Sequence, residues 1–144
     1  MAQDIPQILA DHIEVVRDLE PVAPEIEAAA DRLIACIEGG GTLFWMGNGG
    51  SAADSQHLAA EIVGRFRHDR PAAASVALTT DTSTLTAIGN DYGFETVFER
   101  QVEALCTPDD VVVGISTSGN SENVLRAVDV AVDAGAYTVG LTGK

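Results

Sequence analysis

Four short apolar runs, each separated from the next by a helix-length segment, constrain this chain more than any other feature. The runs are Thr42–Met46, Ser75–Thr79, Val111–Ser116 and Tyr137–Leu141. They are mostly continuous rather than alternating in polarity, so both faces of each strand must be covered. That pattern requires a parallel sheet with helices packed on both sides. Helical periodicity fills the gaps, over Ser51–Phe66, over Asp81–Ile88 with Glu95–Leu105, and over Ser121–Ala134. The expected fold class is therefore α/β, a doubly wound parallel sheet of at least four strands. Ligands of such sheets sit outside the carboxyl ends of the strands, near the point where strand order reverses. The loops after the first and third runs are where chemistry should lie.

Ahead of the first strand, apolar residues recur at three- and four-residue spacing through Ile5, Leu9, Ile13, Val16 and Leu19, then Ile26, Ala30, Leu33 and Ile37. Pro21 and Pro24 interrupt the pattern and Gly39-Gly40-Gly41 ends it. This predicts an N-terminal helical hairpin over residues 1–40 and an α/β domain over 41–144. The hairpin's apolar stripe suits a partner subunit or the chain's own sheet equally. At 144 residues the chain can build a core without disulfides. Cys36 and Cys106 form no metal-type or redox-type pair and read as core residues of a reducing, cytoplasmic compartment. Acidic residues number 22 against 8 Lys plus Arg, a net charge of −14. Such a field repels phosphate backbones and anionic membranes, so neither nucleic acid nor a membrane surface is an expected partner. An anionic small molecule would need a locally built pocket.

The first such pocket is Gly47-Asn48-Gly49-Gly50-Ser51, between the first strand and a helix. Glycines there let backbone N–H groups approach a ligand at the positive end of the helix. Gly47, Gly49 and Ala52 formally satisfy a dinucleotide fingerprint. The acidic residue that should confirm it, ~20 positions on, is missing, since Thr79-Thr80 occupy the second strand's tip. Ser51 with Asp54 also reads as a helix cap, so its role stays open. Along the helix, Gly50, Asp54, His57, Glu61 and Arg65 fall within about 80° of one another. His57 and Glu61, one turn apart, can converge on one metal ion or one substrate. The competing reading is a solvated stripe with a Glu61–Arg65 ion pair.

The loop after the third strand, Ser116-Thr117-Ser118-Gly119-Asn120-Ser121, concentrates hydroxyls at another helix N-terminus. Hydroxyls with free helix N–H groups make a phosphate cradle that needs no lysine, and the only lysine of this chain is Lys144. The alternative is a polar turn in which Ser118 or Asn120 caps the helix. Asn90-Asp91 lies in a turn whose own chemistry could explain it.

Together, Gly47-Asn48-Gly49-Gly50-Ser51-Ala52, the His57/Glu61 pair, Gly64-Arg65, Ala87 through Phe94 and Gly114 through Ser121 resemble the sugar-isomerase (SIS) domain family. Within it they are similar to the sedoheptulose 7-phosphate, or phosphoheptose, isomerases. The resemblance covers nearly the whole chain. It implies a flavodoxin-like SIS fold and a cytoplasmic homotetramer with active sites at subunit interfaces. It implies aldose–ketose isomerisation of sedoheptulose 7-phosphate to D-glycero-D-manno-heptose 7-phosphate through an enediol, toward the heptose of bacterial lipopolysaccharide. By motif match, Asn48, Gly49, Gly50, Ser51, Arg65, Asn90, Asp91, Ser116, Thr117, Ser118 and Ser121 would hold the sugar phosphate. His57 and Glu61 would ligate zinc, and Glu61 would be the catalytic base. The family continues with a further strand and helix supplying a Gln and a His, which have no counterpart before Lys144. The alternative within the family is a non-catalytic sugar-phosphate-binding regulator or a partner of the replication initiator.

Overall fold

The computed structural model describes residues 4–143, so Lys144 lies outside it. Helix α1 spans Ile5–Arg17, capped by the Asp4 side chain, and a 3-10 turn over Glu20–Val22 leads into α2, Ala23–Gly39. The chain divides into two compact units, the division falling between Asp31 and Arg32. In the first unit α1 buries none of its residues, and Ile5, Leu9, Ile13 and Val16 are each more than half exposed. The two helices expected from the proline-broken pattern are both present.

The second unit holds strands β1 (Leu43–Gly47), β2 (Ser75–Ala77), β3 (Val111–Ser116) and β4 (Tyr137–Thr142) in one sheet of order β2-β1-β3-β4. Every pairing is parallel, with Leu43 beside both Ser75 and Val111 and Val111 beside Tyr137. Helices α3 (Gly50–Val63), α4 (Thr82–Asp91), α5 (Glu99–Leu105) and α6 (Glu122–Asp133) connect them. Successive side chains of a strand point to opposite faces. Phe44 and Met46 accordingly pack with Val97, Phe98, Val124 and Ala127, while Leu43 and Trp45 pack with Cys36 and Ala59. Two cores, one on each face, are what the continuous apolar runs demanded. Strand β2 stops at Ala77 rather than Thr79: the Leu78 N–H makes the last bond of the pairing, to the Trp45 carbonyl, and the chain then turns, the Thr80 hydroxyl donating back to the Ala77 carbonyl. The helix expected over Glu95–Leu105 begins as a 3-10 turn, Phe94–Thr96, before α5. Cys36 is buried and Cys106 half-buried. Burial pushes the Cys36 thiol up from its ordinary value, helped by the neighbouring carboxylates of Asp110 and Asp109. Among the described residues no helix is long and apolar enough to cross a membrane.

Candidate active site

After β1 the chain turns to β2 on one side, and after β2 it crosses to β3 on the other. The crevice between the carboxyl ends of β1 and β3 is thus the switch point, and both signal loops open onto it. At its floor, Gly47 is enforced by close approach. A Cβ there would lie 2.7 Å from the Ser51 Cβ and 2.8 Å from the Ile115 carbonyl oxygen. Gly49 takes φ +57 and ψ −118, a conformation that disfavours any side chain. Helix α3 consequently starts at Gly50 with Gly49 as its cap residue, and no side chain caps it. The Ser51–Asp54 capping pair does not form. Ser51 sits inside the first turn, its N–H on the Asn48 carbonyl at 3.0 Å and its hydroxyl without a partner among the described residues. The Gly49 and Gly50 N–H groups have no hydrogen bond either, and both residues are exposed.

The hydroxyl loop is built the same way. Ser121 is the cap residue of α6, yet no side chain caps that helix, and the Glu122 and Asn123 N–H groups are unpaired among the described residues. Neither Ser118 nor Asn120 caps it: the Ser118 hydroxyl accepts the Asn120 N–H at 3.2 Å, and the Asn120 amide donates to the Ser118 carbonyl at 3.0 Å. The Ser116 and Ser121 hydroxyls lie 2.9 Å apart across the loop. Thr117 and Ser118 are exposed. Two uncapped helix N-termini with adjoining hydroxyls make an anion cradle of partial positive charge. Glu122, in the first turn of α6, places a negative charge nearby, and its carboxylate is engaged by Arg126 at 2.7 Å. A cavity of about 130 Å³ adjoins the cradle, lined by Gly47, Asn48, Gly49, Thr79, Phe94 and Phe98.

The two halves of the cradle are joined by a residue that pattern reading passed over. Asn48 donates its amide to Asn123 Oδ1 at 2.9 Å, and Asn123 donates to Asn48 Oδ1 at 2.9 Å. Asn123 is 4% exposed, beside Val124 and Ala127 on the inward face of α6. A polar residue on an otherwise apolar helical stripe was the signal available for it.

His57 and Glu61 do pair, with Nε2 and Oε1 3.5 Å apart. Arg65 contacts Asp69 at 3.5 Å instead, so the Glu61–Arg65 ion pair is not found. The carbonyls of Glu61 and Ile62 are held by Arg70, which donates to them at 3.0 and 2.6 Å and fixes the end of α3. The pair stands apart from the cradle. Glu61 is eleven residues past Gly50, about 16 Å along the helix axis. Asn90 and Asp91 end α4, bonded to each other at 2.7 Å and to nothing of the cradle. Among the described residues no group of three or more His, Cys, Asp and Glu could hold a metal ion. Zinc takes three or four protein ligands in ordinary sites, so His57 and Glu61 alone do not fit one. A larger cavity of about 670 Å³ is bordered by Ile34, Ile37, Ile62 and Pro71 and shares no residue with the cradle.

Comparison with known proteins identifies the family. The family model described as the SIS domain matches residues 9–143. A phosphoheptose isomerase of Geobacter metallireducens is 57% identical over 100% of this chain and 77% of its own length. One from Aquifex aeolicus is 52% identical over 100% of this chain and 76% of its own. The solved phosphoheptose isomerase GmhA of Neisseria gonorrhoeae superposes with a TM-score of 0.87 at 46% identity, covering 96% of this chain and 72% of that one. A phosphoheptose isomerase structure from Francisella tularensis gives 0.85 at 36% identity, over 98% and 76%. The chain belongs to the SIS domain family, among its phosphoheptose isomerases.

Proposed function

We infer that this chain is an aldose–ketose isomerase converting sedoheptulose 7-phosphate to D-glycero-D-manno-heptose 7-phosphate, a step toward the heptose of lipopolysaccharide. The observation that carries this is the cradle at the switch point, set in a chain that aligns along its whole length with phosphoheptose isomerases. The phosphate sits against the open N-termini of α3 and α6, with Asn48, Gly49, Gly50, Ser51, Ser116, Thr117, Ser118 and Ser121 as donors. Asn90 and Asp91 serve the sugar hydroxyls, with Arg65 nearby. Isomerisation removes a proton from C1 of the ketose, and the freed electron pair forms the C1–C2 double bond as the C2 oxygen takes up a proton. The enediol collapses when C2 is protonated and the C1 hydroxyl loses its proton. Atoms and electrons balance with no redox cofactor. Glu61 is the base that moves the carbon-bound proton.

The site is read as one shared between chains, as the family resemblance implies. Glu61 of one subunit then serves the cradle of another, in a cytoplasmic homotetramer. The exposed apolar stripe of α1 supports association of this kind. His57 and Glu61 would be two of the donors to the zinc that the family resemblance implies. The regulator alternative is disfavoured by the His57–Glu61 pair, which binding alone does not require.

Glu61→Gln keeps the shape of the side chain and removes its basicity. Turnover of sedoheptulose 7-phosphate should fall ~10²–10⁴-fold with binding little changed. A fully active variant ends the base assignment. A parent that binds the sugar phosphate without converting it supports the regulator instead.

A further inference from the structure

We propose that Asn123 is a positioning residue for the sugar-phosphate site, acting through Asn48 without itself holding the ligand. The proposal rests on the functional reading above and extends it to a residue outside the cradle motifs.

The two amides form a closed ring of two 2.9 Å hydrogen bonds. A primary amide has two N–H donors and two acceptor lone pairs. The ring uses one of each from Asn48 and leaves one of each, in a fixed orientation, at the edge of the glycine loop. Without Asn123 the Asn48 amide could flip or swing, presenting its donor and acceptor edges indiscriminately. The bond also spans 75 residues of sequence and ties the loop after β1 to the first turn of α6. The glycine loop has no side-chain cap and a glycine-only backbone at Gly49, so it lacks a local device that would set its distance from the hydroxyl loop. Asn123 is buried and cannot exchange this partner for bulk water without local opening. Both bonds lie in a partly excluded environment, where a lost partner costs more than at the surface.

The test is calorimetric binding of sedoheptulose 7-phosphate to the parent chain, Asn123→Leu and Asn123→Asp, with thermal melting in parallel. Asn123→Leu removes both bonds at similar volume and should weaken affinity about 5- to 100-fold. Asn123→Asp separates positioning from packing. As a carboxylic acid the new side chain can both donate to Asn48 Oδ1 and accept from Asn48 Nδ2; as a carboxylate it can only accept. Its affinity relative to the parent, measured between pH 8 and 5, should therefore rise as pH falls. A purely structural role would lower both melting points and leave the affinity measured below them at the parent value. Parent-like binding by Asn123→Leu, or by Asn123→Asp at pH 8, overturns the proposal. If Asn123→Leu does not fold, Asn123→Ser, whose short side chain cannot close the amide ring, takes its place with the same outcomes. A parent that binds no sugar phosphate overturns the functional reading itself, a result distinct from either.

Discussion

Asp110 offers the sharpest test of how the sheet is held at the end opposite the site. Its carboxylate is 6% exposed and accepts three hydrogen bonds: from the Thr42 N–H at 2.7 Å, the Thr107 N–H at 2.7 Å and the Thr107 hydroxyl at 2.8 Å. One side chain thereby joins the lead-in to β1 with the turn before β3. Replacement by Ala deletes all three. Bonds to a charged acceptor contribute ~1.5–3 kcal/mol each, and a stranded buried donor costs a comparable amount. Thr107 is exposed and can rehydrate, whereas the Thr42 N–H is only partly reachable, so the net loss should be ~3 kcal/mol. The protein reports on this itself through its single tryptophan, Trp45 of β1, 5% exposed and bonded through its indole N–H to the Ser75 hydroxyl at 2.8 Å. Urea unfolding followed by Trp fluorescence, with a slope of ~2 kcal/mol/M, should show a midpoint lowered by ~1.5 M at unchanged slope. Asp110→Asn keeps one acceptor and should fall about midway. An Asp110→Ala midpoint within ~0.3 M of the parent would refute the assignment of Asp110 as the clamp between these strands.

Two further outcomes follow from local geometry. Gly47→Ala places a methyl against the Ser51 Cβ and the Ile115 carbonyl, so it should push α3 away from β3 and weaken sugar-phosphate binding more than ~10-fold. Retention of parent affinity by calorimetry would show that the loop tolerates the shift. Asp81 caps α4, and hydrogen bonds from Thr84 hold its pKa below the ordinary 3.8. A depressed folded-state pKa adds stability above the unfolded value and loses it as pH falls through the folded one. The drop in melting temperature caused by Asp81→Ala should therefore be full at pH 7 and shrink below about pH 4. A drop independent of pH would point to packing instead.

The strands were legible because burial on both faces leaves no room for polarity: Val111–Ser116 is found with the limits read from its composition alone. Ends were less legible, because hydrogen bonds between distant segments set them. Strand β2 ends early where the chain turns and the Thr80 hydroxyl bonds back to the Ala77 carbonyl, and no apolar pattern announces it. Ser51 and Asp54 have the spacing of a cap, but the φ of Gly49 moves the start of α3 forward and leaves Ser51 inside the turn. The cradle loops were visible as glycines and hydroxyls before helices. Their junction was not, since Asn48 and Asn123 acquire meaning only when β1 and β3 lie side by side.

That junction also fixes when the site can come into being. Its two halves are 75 residues apart in sequence, and nothing in either half alone assembles a cradle. At ~5–20 residues per second of synthesis, the glycine loop waits on the order of 4–15 s for its counterpart to be made. Closing a segment of that length costs entropy that only pairing of β1 with β3 offsets, so the cradle forms with the sheet and not before it. A ligand gripping both halves therefore binds only the folded chain, and its binding energy opposes unfolding of the whole sheet rather than of one loop.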